Sequence, residues 1–384
     1  YFVFRDLDFR SSNPARRDVA MKVIVIGLGC VGSAVAATLA KRGAKVIGLE
    51  QFVIGHEKGS SAHQSRAFRM AYAEDEGYVP LLKRARELWL ALNEDAPKPI
   101  FYETGGLYIS NASTGLVQDS IAAANAHDVP YELLDKETLQ ERFPIFDVPK
   151  GTIAIFEPNA GMIVPERAID AYIKIAKDHG ADLREHCKVL GWTETSEGVQ
   201  VETNDGTLYA DRLVLCKGAW TDEIPVRASR QVLTWWNNDV DTSELPVWAL
   251  QLDGDAWLYG FPEIYGVEGP SGFKVAKHFP QETIDPDDDV AKQTRVDDAE
   301  SVRPHLENWL PTTAGKCTTT RTCMYGNSED GHFRIGMLQG HQRVVVIAGL
   351  SGHGFKFQPV LGEIGADLAM GTECKWNLGF LGLK

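Results

Sequence analysis

No Cys-x-x-Cys pair occurs in this chain, and its histidines do not gather at metal-ligand spacing, which excludes a structural zinc site and any other metal centre from the expected chemistry. The six cysteines, Cys30, Cys187, Cys216, Cys317, Cys323 and Cys374, are scattered rather than paired. Their pattern points to a reducing, cytoplasmic compartment. Basic charge is in deficit too: 39 Lys and Arg against 53 Asp and Glu leave a formal net charge of -14. That balance removes nucleic acid and anionic membranes from the expected partners. Internal repeats and low-complexity tracts are missing, and helical and strand patterns alternate throughout, so an α/β chain with insertions is expected. The first twenty residues have neither an initial Met nor an apolar core; residues 1–20 are read as a disordered extension ahead of a start at Met21. The whole chain, at 384 residues and 44% hydrophobic, is long enough for a large core, in two domains or one elaborate one.

One stretch does lack charge altogether. Residues 23–40 contain no Asp, Glu, Lys or Arg and follow Arg16, Arg17 and Lys22, the pattern of an export signal or a membrane span. Its internal order argues otherwise. Val23-Ile24-Val25-Ile26 is a buried strand, followed by the turn Gly27-Leu28-Gly29-Cys30-Val31-Gly32. In that spacing Gly27 makes the bend, Gly29 lets backbone approach a pyrophosphate and Gly32 lets helix and strand pack closely. A helix from about Val31 to Arg42 then aims its N-terminal N–H groups at the pyrophosphate, and Gly43 stops it. A second strand, Lys45 to Leu49, ends at Glu50, where a carboxylate suits a ribose 2′-hydroxyl and repels a 2′-phosphate, so NADP is not expected. The unit holds an adenine dinucleotide.

Further along, Tyr78 to Leu92 and Pro165 to Gly180 have helical spacing, and Thr104 to Ser110 and Gly151 to Phe156 are strands. Gly198 to Thr203 and Thr207 to Ala210 flank an Asn204-Asp205-Gly206 turn as a hairpin. Arg212 to Cys216 is an apolar strand. The segment from about Arg230 to Pro311, rich in Trp, Asp and Pro, forms a separate antiparallel layer, with Trp235 and Trp236 either lining a pocket or filling core. Near the end Val344 to Ala348 runs into Gly349-Leu-Ser351-Gly352-His353-Gly354 and a helix reaching Met370.

Taken together with Ser65-Arg66-Ala67-Phe68-Arg69-Met70-Ala71-Tyr72, Cys323-Met324-Tyr325 and Ser351-Gly352-His353-Gly354-Phe355-Lys356-Phe357, the fingerprint makes the chain resemble the monomeric sarcosine oxidase and N-methyltryptophan oxidase family from about Met21 to Gly371. The resemblance implies FAD rather than NAD. It implies a D-amino acid oxidase type fold: a Rossmann-like FAD-binding domain over residues 21–77, 160–225 and 316–384, and an antiparallel-sheet substrate domain over 78–159 and 226–315. The implied reaction is oxidation of a secondary-amine amino acid by O2, giving an imine and hydrogen peroxide, in a monomer without membrane or nucleic-acid partners.

The same resemblance assigns residues. Cys323 matches the cysteine that joins the flavin through a thioether, with Cys317 as the fallback. Arg69 and Lys356 match the pair that binds the substrate carboxylate, a forked guanidinium and a point-charge ammonium. Lys274 and Arg66 match basic residues flanking the flavin ring, with Lys274 the choice for oxygen activation because a cation there stabilises charge developing on O2. Tyr259 and His278 match polar pocket residues, Tyr259 on the substrate side as well. The cofactor set is Gly27, Gly29, Cys30, Val31, Gly32, Glu50, Ser65, Arg66, Val189, Gly218, Cys323, Tyr325, Gly352, His353, Gly354 and Lys356. Where the family carries a His four places before the first arginine, this chain has Ala62, with His63 one place later. Other functions stay open on sequence: a flavin dehydrogenase using another electron acceptor, an oxidase of glycated amino acids, a NAD-dependent enzyme, and a binding or membrane-anchored protein whose glycine run is a span.

Overall fold

The computed structural model describes residues 20–111, 115–252, 256–278 and 282–383; apart from residue 20, the extension expected over 1–20 lies outside them. The uncharged run resolves into the strand Lys22–Ile26 and the helix Cys30–Lys41, ten of whose twelve residues are buried. A helix apolar on all sides needs cover on all sides. Here the cover is the sheet beneath and the helices Pro165–Asp178 and Gln358–Met370 above. Small residues permit the contact: a Cβ on Gly362 would stand 2.9 Å from Ala34, and one on Gly365 2.6 Å from Val35. Among the described residues no helix is long and apolar enough to cross a membrane.

The Lys22–Ile26 strand lies inside a six-stranded sheet, in the order Arg334–Met337, Val344–Ala348, Arg212–Leu215, Lys22–Ile26, Lys45–Leu49, Asp182–Arg184. All neighbours are parallel except the first pair. The hairpin expected around Asn204 to Gly206 forms, pairing Thr203 with Gly206, within a three-stranded antiparallel sheet over Val189–Ala210.

The second large sheet has eight strands, ordered Cys317–Asn327, Arg227–Trp236, Phe273–His278, Trp257–Phe261, Val247–Gln251, Gly106–Ser110, Ile153–Glu157, Glu132–Asp135. It is antiparallel except where Val247–Gln251 runs parallel to Gly106–Ser110. Alternation along its strands separates two faces. Leu250, Leu258, Phe273, Val275 and Trp236 enter one core with Phe146 and Leu306. The opposite face carries Trp235, Lys274, Phe261, Tyr259, His278, Trp257 and Cys323, and register aligns them: Trp235 opposite Lys274 opposite Phe261, Tyr259 opposite Ala276, Trp257 opposite His278. The two adjacent tryptophans are both fully buried and part to opposite faces, Trp236 in the core with Phe146 and Trp235 packed with Leu233, Ala276 and Cys323 on the face that carries Lys274.

Candidate active site

A cavity of about 370 Å3 lies along the C-terminal ends of the parallel strands. One end is bordered by Glu50, His56, Cys187 and Val189, the middle by Gly27 to Val31, Lys217 and Gly218, and the far end by Arg66, Tyr325, Gly326, Gly352, Gly354 and Phe355. The glycines make this cradle by close approach as much as by backbone freedom. A Cβ on Gly27 would meet the Cys216 carbonyl oxygen at 2.4 Å, and one on Gly32 the Gly27 oxygen at 1.7 Å. Gly352, at φ 78°, would collide with the Tyr325 ring at 2.1 Å. Gly32 thus shapes the turn from behind, without lining the cavity.

Glu50 accepts the Leu28 N–H at 3.0 Å and the Phe52 N–H at 3.1 Å, with His56 at 3.4 Å. Burial alone would raise its carboxyl; His56 and those two amides outweigh burial and hold it below the usual range. An ionised, anchored acid at the end of the second strand is what a ribose diol requires. Ser61 Oγ accepts from the Cys30 N–H at 3.1 Å, tying the 59–65 loop to the glycine turn.

That loop turns its carbonyls inward onto two cations. Arg66 donates to the Ser60, Ala62 and Ser65 oxygens at 2.7 to 2.8 Å. Lys274 Nζ, buried, donates to His63 O at 2.6 Å, Ser65 Oγ at 3.0 Å and Ser65 O at 3.3 Å. Burial, with Arg66 nearby, pushes the Lys274 ammonium well below its usual value, while three oxygen acceptors favour its charged form. His63 points its ring away from the cavity: Nε2–H donates to Thr322 O at 3.0 Å, and burial lowers its basicity to about 4. It lines, with Cys323, a second cavity of about 290 Å3 behind that strand. Cys323 is itself buried, which raises its thiol, while Arg66 and Lys274 pull in the opposite direction. Cys317 starts the same strand, opposite Trp236, and contacts Thr319 and Thr320.

Beyond this lies a second pair of buried cations. Arg69 pairs with Glu74 at 2.5 Å and stacks on Tyr72 at 4.4 Å, Trp257 at 5.3 Å and Tyr108 at 5.9 Å. Lys356 donates to His353 O at 2.8 Å and lies 5.2 Å from the Tyr72 ring. Burial, followed by Arg69, lowers the Lys356 ammonium to about 7. Burial would raise the Glu74 carboxyl, yet Arg69, His353 and Lys356 hold it at about 2. Two cations thus share one local carboxylate, and Glu74 Oε2 has no hydrogen-bond partner among the described residues. His353 sits at the hub: Nε2–H donates to Gly331 O at 3.0 Å, so Nδ1 is the acceptor for the Tyr72 hydroxyl at 2.5 Å. Burial keeps that imidazole neutral, at about 4, and His278, held at about 3, contacts the Tyr325 hydroxyl at 3.1 Å. Tyr259 bonds Tyr325 and is raised by burial to about 12.

Residues 22–368 match the family described as FAD dependent oxidoreductase. The chain belongs to that family. It is 35% identical over 361 residues to monomeric sarcosine oxidase of Streptomyces avermitilis, covering 91% of this chain and 93% of the relative. It is 34% identical over 367 residues to N-methyl-L-tryptophan oxidase of Escherichia coli O9:H4, covering 93% and 96%. Among solved structures, the open form of NikD, an unusual amino acid oxidase essential for nikkomycin biosynthesis, superposes with a TM-score of 0.83 at 24% identity, over 95% of this chain and 98% of that one. Glycine oxidase from Geobacillus kaustophilus gives 0.77 at 19%, over 95% and 99%. The fold is therefore of the D-amino acid oxidase type, and the glycine-walled cavity fits FAD: Glu50 would meet the ribose, the Gly27–Gly32 turn and helix N-terminus would take the pyrophosphate, and Arg66 and Tyr325 would border the ring end.

Several groups in this arrangement carry no sequence signal that marks them as functional. Glu74 stands five residues past Arg69, a spacing any surface acid could have. Glu157 is fully buried and accepts from the Met70 and Ala71 N–H groups at 2.9 and 3.1 Å and the Tyr108 hydroxyl at 2.8 Å, fixing the backbone just after Arg69. Burial raises that carboxyl. Tyr72 belongs to the motif that begins at Ser65, but Tyr108 and Trp257 come from strands whose alternation only says which face they share.

Proposed function

We propose that this chain oxidises a secondary amine within an amino acid, N-methylated or cyclic, using O2 as acceptor and releasing an imine and hydrogen peroxide. The observation that carries the proposal is the excess positive charge of the second cation pair. Arg69 is buried in an ion pair with Glu74, Lys356 is buried on the His353 carbonyl within the field of the same carboxylate, and a substrate carboxylate completes the balance. The named activities of the relatives agree with it. Bound FAD supplies the hydride acceptor and the two-electron route to oxygen.

The protein's part is orientation and charge. Arg69 and Lys356 take the carboxylate and so fix where the amine and its α-carbon lie. Tyr72, Tyr108 and Trp257 shut water away from that ion pair, which strengthens it. His278 and His353, both neutral at pH 7, add polarity without repelling an amine that must be unprotonated to give up hydride. Lys274 and Arg66 provide fixed positive charge where oxygen is reduced. Cys323 is the attachment point for the flavin. Residues 21–77, 160–225 and 316–384 carry the cofactor and 78–159 with 226–315 cover the substrate, in a protein that works as a monomer; the Cys317–Asn327 strand joins the two parts, since it pairs into the eight-stranded sheet.

The test is a panel of sarcosine, N-methyltryptophan, pipecolate, proline and a glycated amino acid, read by oxygen uptake and peroxide release. One peroxide per amine oxidised, and no turnover of the same amine without its carboxylate, is the expected result. Reduction of a dye without peroxide would replace the oxidase by a dehydrogenase, and turnover confined to the glycated amine would replace the substrate class. Acid precipitation addresses the attachment: a yellow pellet for the native chain and a yellow supernatant for Cys323→Ser.

A further inference from the structure

His63 and Gln64 hold φ of 76° and 73°, two consecutive residues in a conformation that L side chains rarely adopt. The Ser65 N–H donates to His63 O across Gln64 at 2.9 Å, closing a γ-turn of the strained hand. Such a turn persists only when its surroundings over-determine it. Gln64 is held on every side: its N–H donates to Glu166 Oε1 at 3.0 Å, its Nε2 to Pro270 O at 3.3 Å, and its Oε1 accepts from Trp235 Nε1–H at 2.6 Å.

The consequence of the turn is the placement of oxygens. Bending the chain at Gln64 brings His63 O, Ser65 O and Ser65 Oγ onto the single Lys274 ammonium. Trp235 acts twice in this arrangement. Its indole N–H locks Gln64, and its ring, opposite Lys274 in the sheet register, lies 5.2 Å from the same ammonium. An unstrained loop would leave a buried cation short of acceptors.

We propose that Gln64 and Trp235 form a positioning pair for Lys274: the indole-to-amide hydrogen bond fixes the strained turn whose three oxygens take the ammonium protons and hold the cation in one place beside Arg66. The proposal rests on the reading of Lys274 as the cation that assists oxygen reduction, and its test separates the two. Gln64→Gly removes the amide and relieves the left-handed strain, Trp235→Phe keeps a ring over Lys274 but removes the N–H, and Gln64→Glu keeps an acceptor for the indole.

In protein labelled with [15N]lysine, the native chain should show a slowly exchanging ammonium signal that Lys274→Met abolishes. Gln64→Gly and Trp235→Phe should each lose it, and Gln64→Glu should retain it. In the holoenzyme, the same two variants should slow reoxidation by O2 about tenfold, the effect of depriving the Lys274 ammonium of one of its hydrogen bonds, while anaerobic reduction by substrate stays within about twofold. The double variant should be no worse than either single one, because both break the same bond. A persistent ammonium signal in Gln64→Gly, or an equal fall in both half-reactions, overturns the pairing. If Lys274→Met leaves reoxidation unchanged, the oxygen role of Lys274 fails, and the ammonium signal alone decides the pair. Should Trp235→Phe not fold, Gln64→Gly decides it.

Discussion

The glycine cradle and the two cation sites are built by opposite means. The cradle is one continuous segment, Lys22 to Glu50, in which each residue's place follows from its neighbours: strand, bend, helix, strand, acid. The cation sites take Arg66 and Arg69 from a short strand and the loop after it, Lys274 from the middle of the large sheet and Lys356 from a turn near the chain's end. In the first region backbone excludes side chains; in the second, side chains replace solvent. The cradle is therefore intolerant of bulk, whereas the cation sites are intolerant of lost charge.

The largest test of that contrast is Gly32→Val. Its Cβ would stand 1.7 Å from the Gly27 oxygen, backbone that cannot step aside. The expected outcome is protein without flavin, read as the ratio of visible to ultraviolet absorbance; a normal ratio would refute the close-approach argument. Arg69→Met tests the other region and should leave flavin content intact while kcat/KM falls about a thousandfold or more, the scale of a buried pair broken on one side. Loss of flavin in that variant would mean the two regions are not separable.

A smaller effect comes from pH. Glu74 is held at about 2 against an ordinary 4.5, so its pairing with Arg69 stabilises the fold fully above about 4.5 and is lost as pH falls toward about 2. Glu74→Gln should flatten the acid limb of a stability-versus-pH curve in that window; an unchanged limb would assign acid sensitivity to other carboxylates. Lys356 runs in the opposite sense. Its proton is lost as pH rises through about 7, so KM for the carboxylate substrate should climb above that pH, and a flat profile would remove Lys356 from the clamp. The smallest effect is expected at Gly43, where φ is 89° and an added methyl would meet nothing within 4 Å among the described residues. Gly43→Ala should cost about 1–2 kcal/mol from backbone strain alone, lowering Tm a few degrees with flavin content unchanged.

The same contrast separates what is legible in the sequence from what is not. The cradle is legible because glycine spacing and hydrophobic periodicity are local. The uncharged run of residues 23–40 reads equally as a span until its glycines are counted, and its burial on all sides comes from two helices far along the chain. Arg69, Lys274, Lys356 and Cys323 are nameable through resemblance, while Glu74, Glu157 and Trp257 are not, because a buried acid or indole looks like any other until its neighbours are known. His63, one place from the expected histidine, serves the site through its carbonyl and directs its ring to Thr322.

By itself the sequence determined the dinucleotide-binding unit, the family, and which charged residues were candidates, because short-range stereochemistry and motif order reside in contiguous residues. Tertiary structure alone decided that Arg69 pairs with Glu74 near Lys356, that Trp235 and Trp236 part to opposite faces, and that a strained turn presents three oxygens to Lys274. Those are matters of sheet register and burial, set largely by contacts between elements distant in the chain.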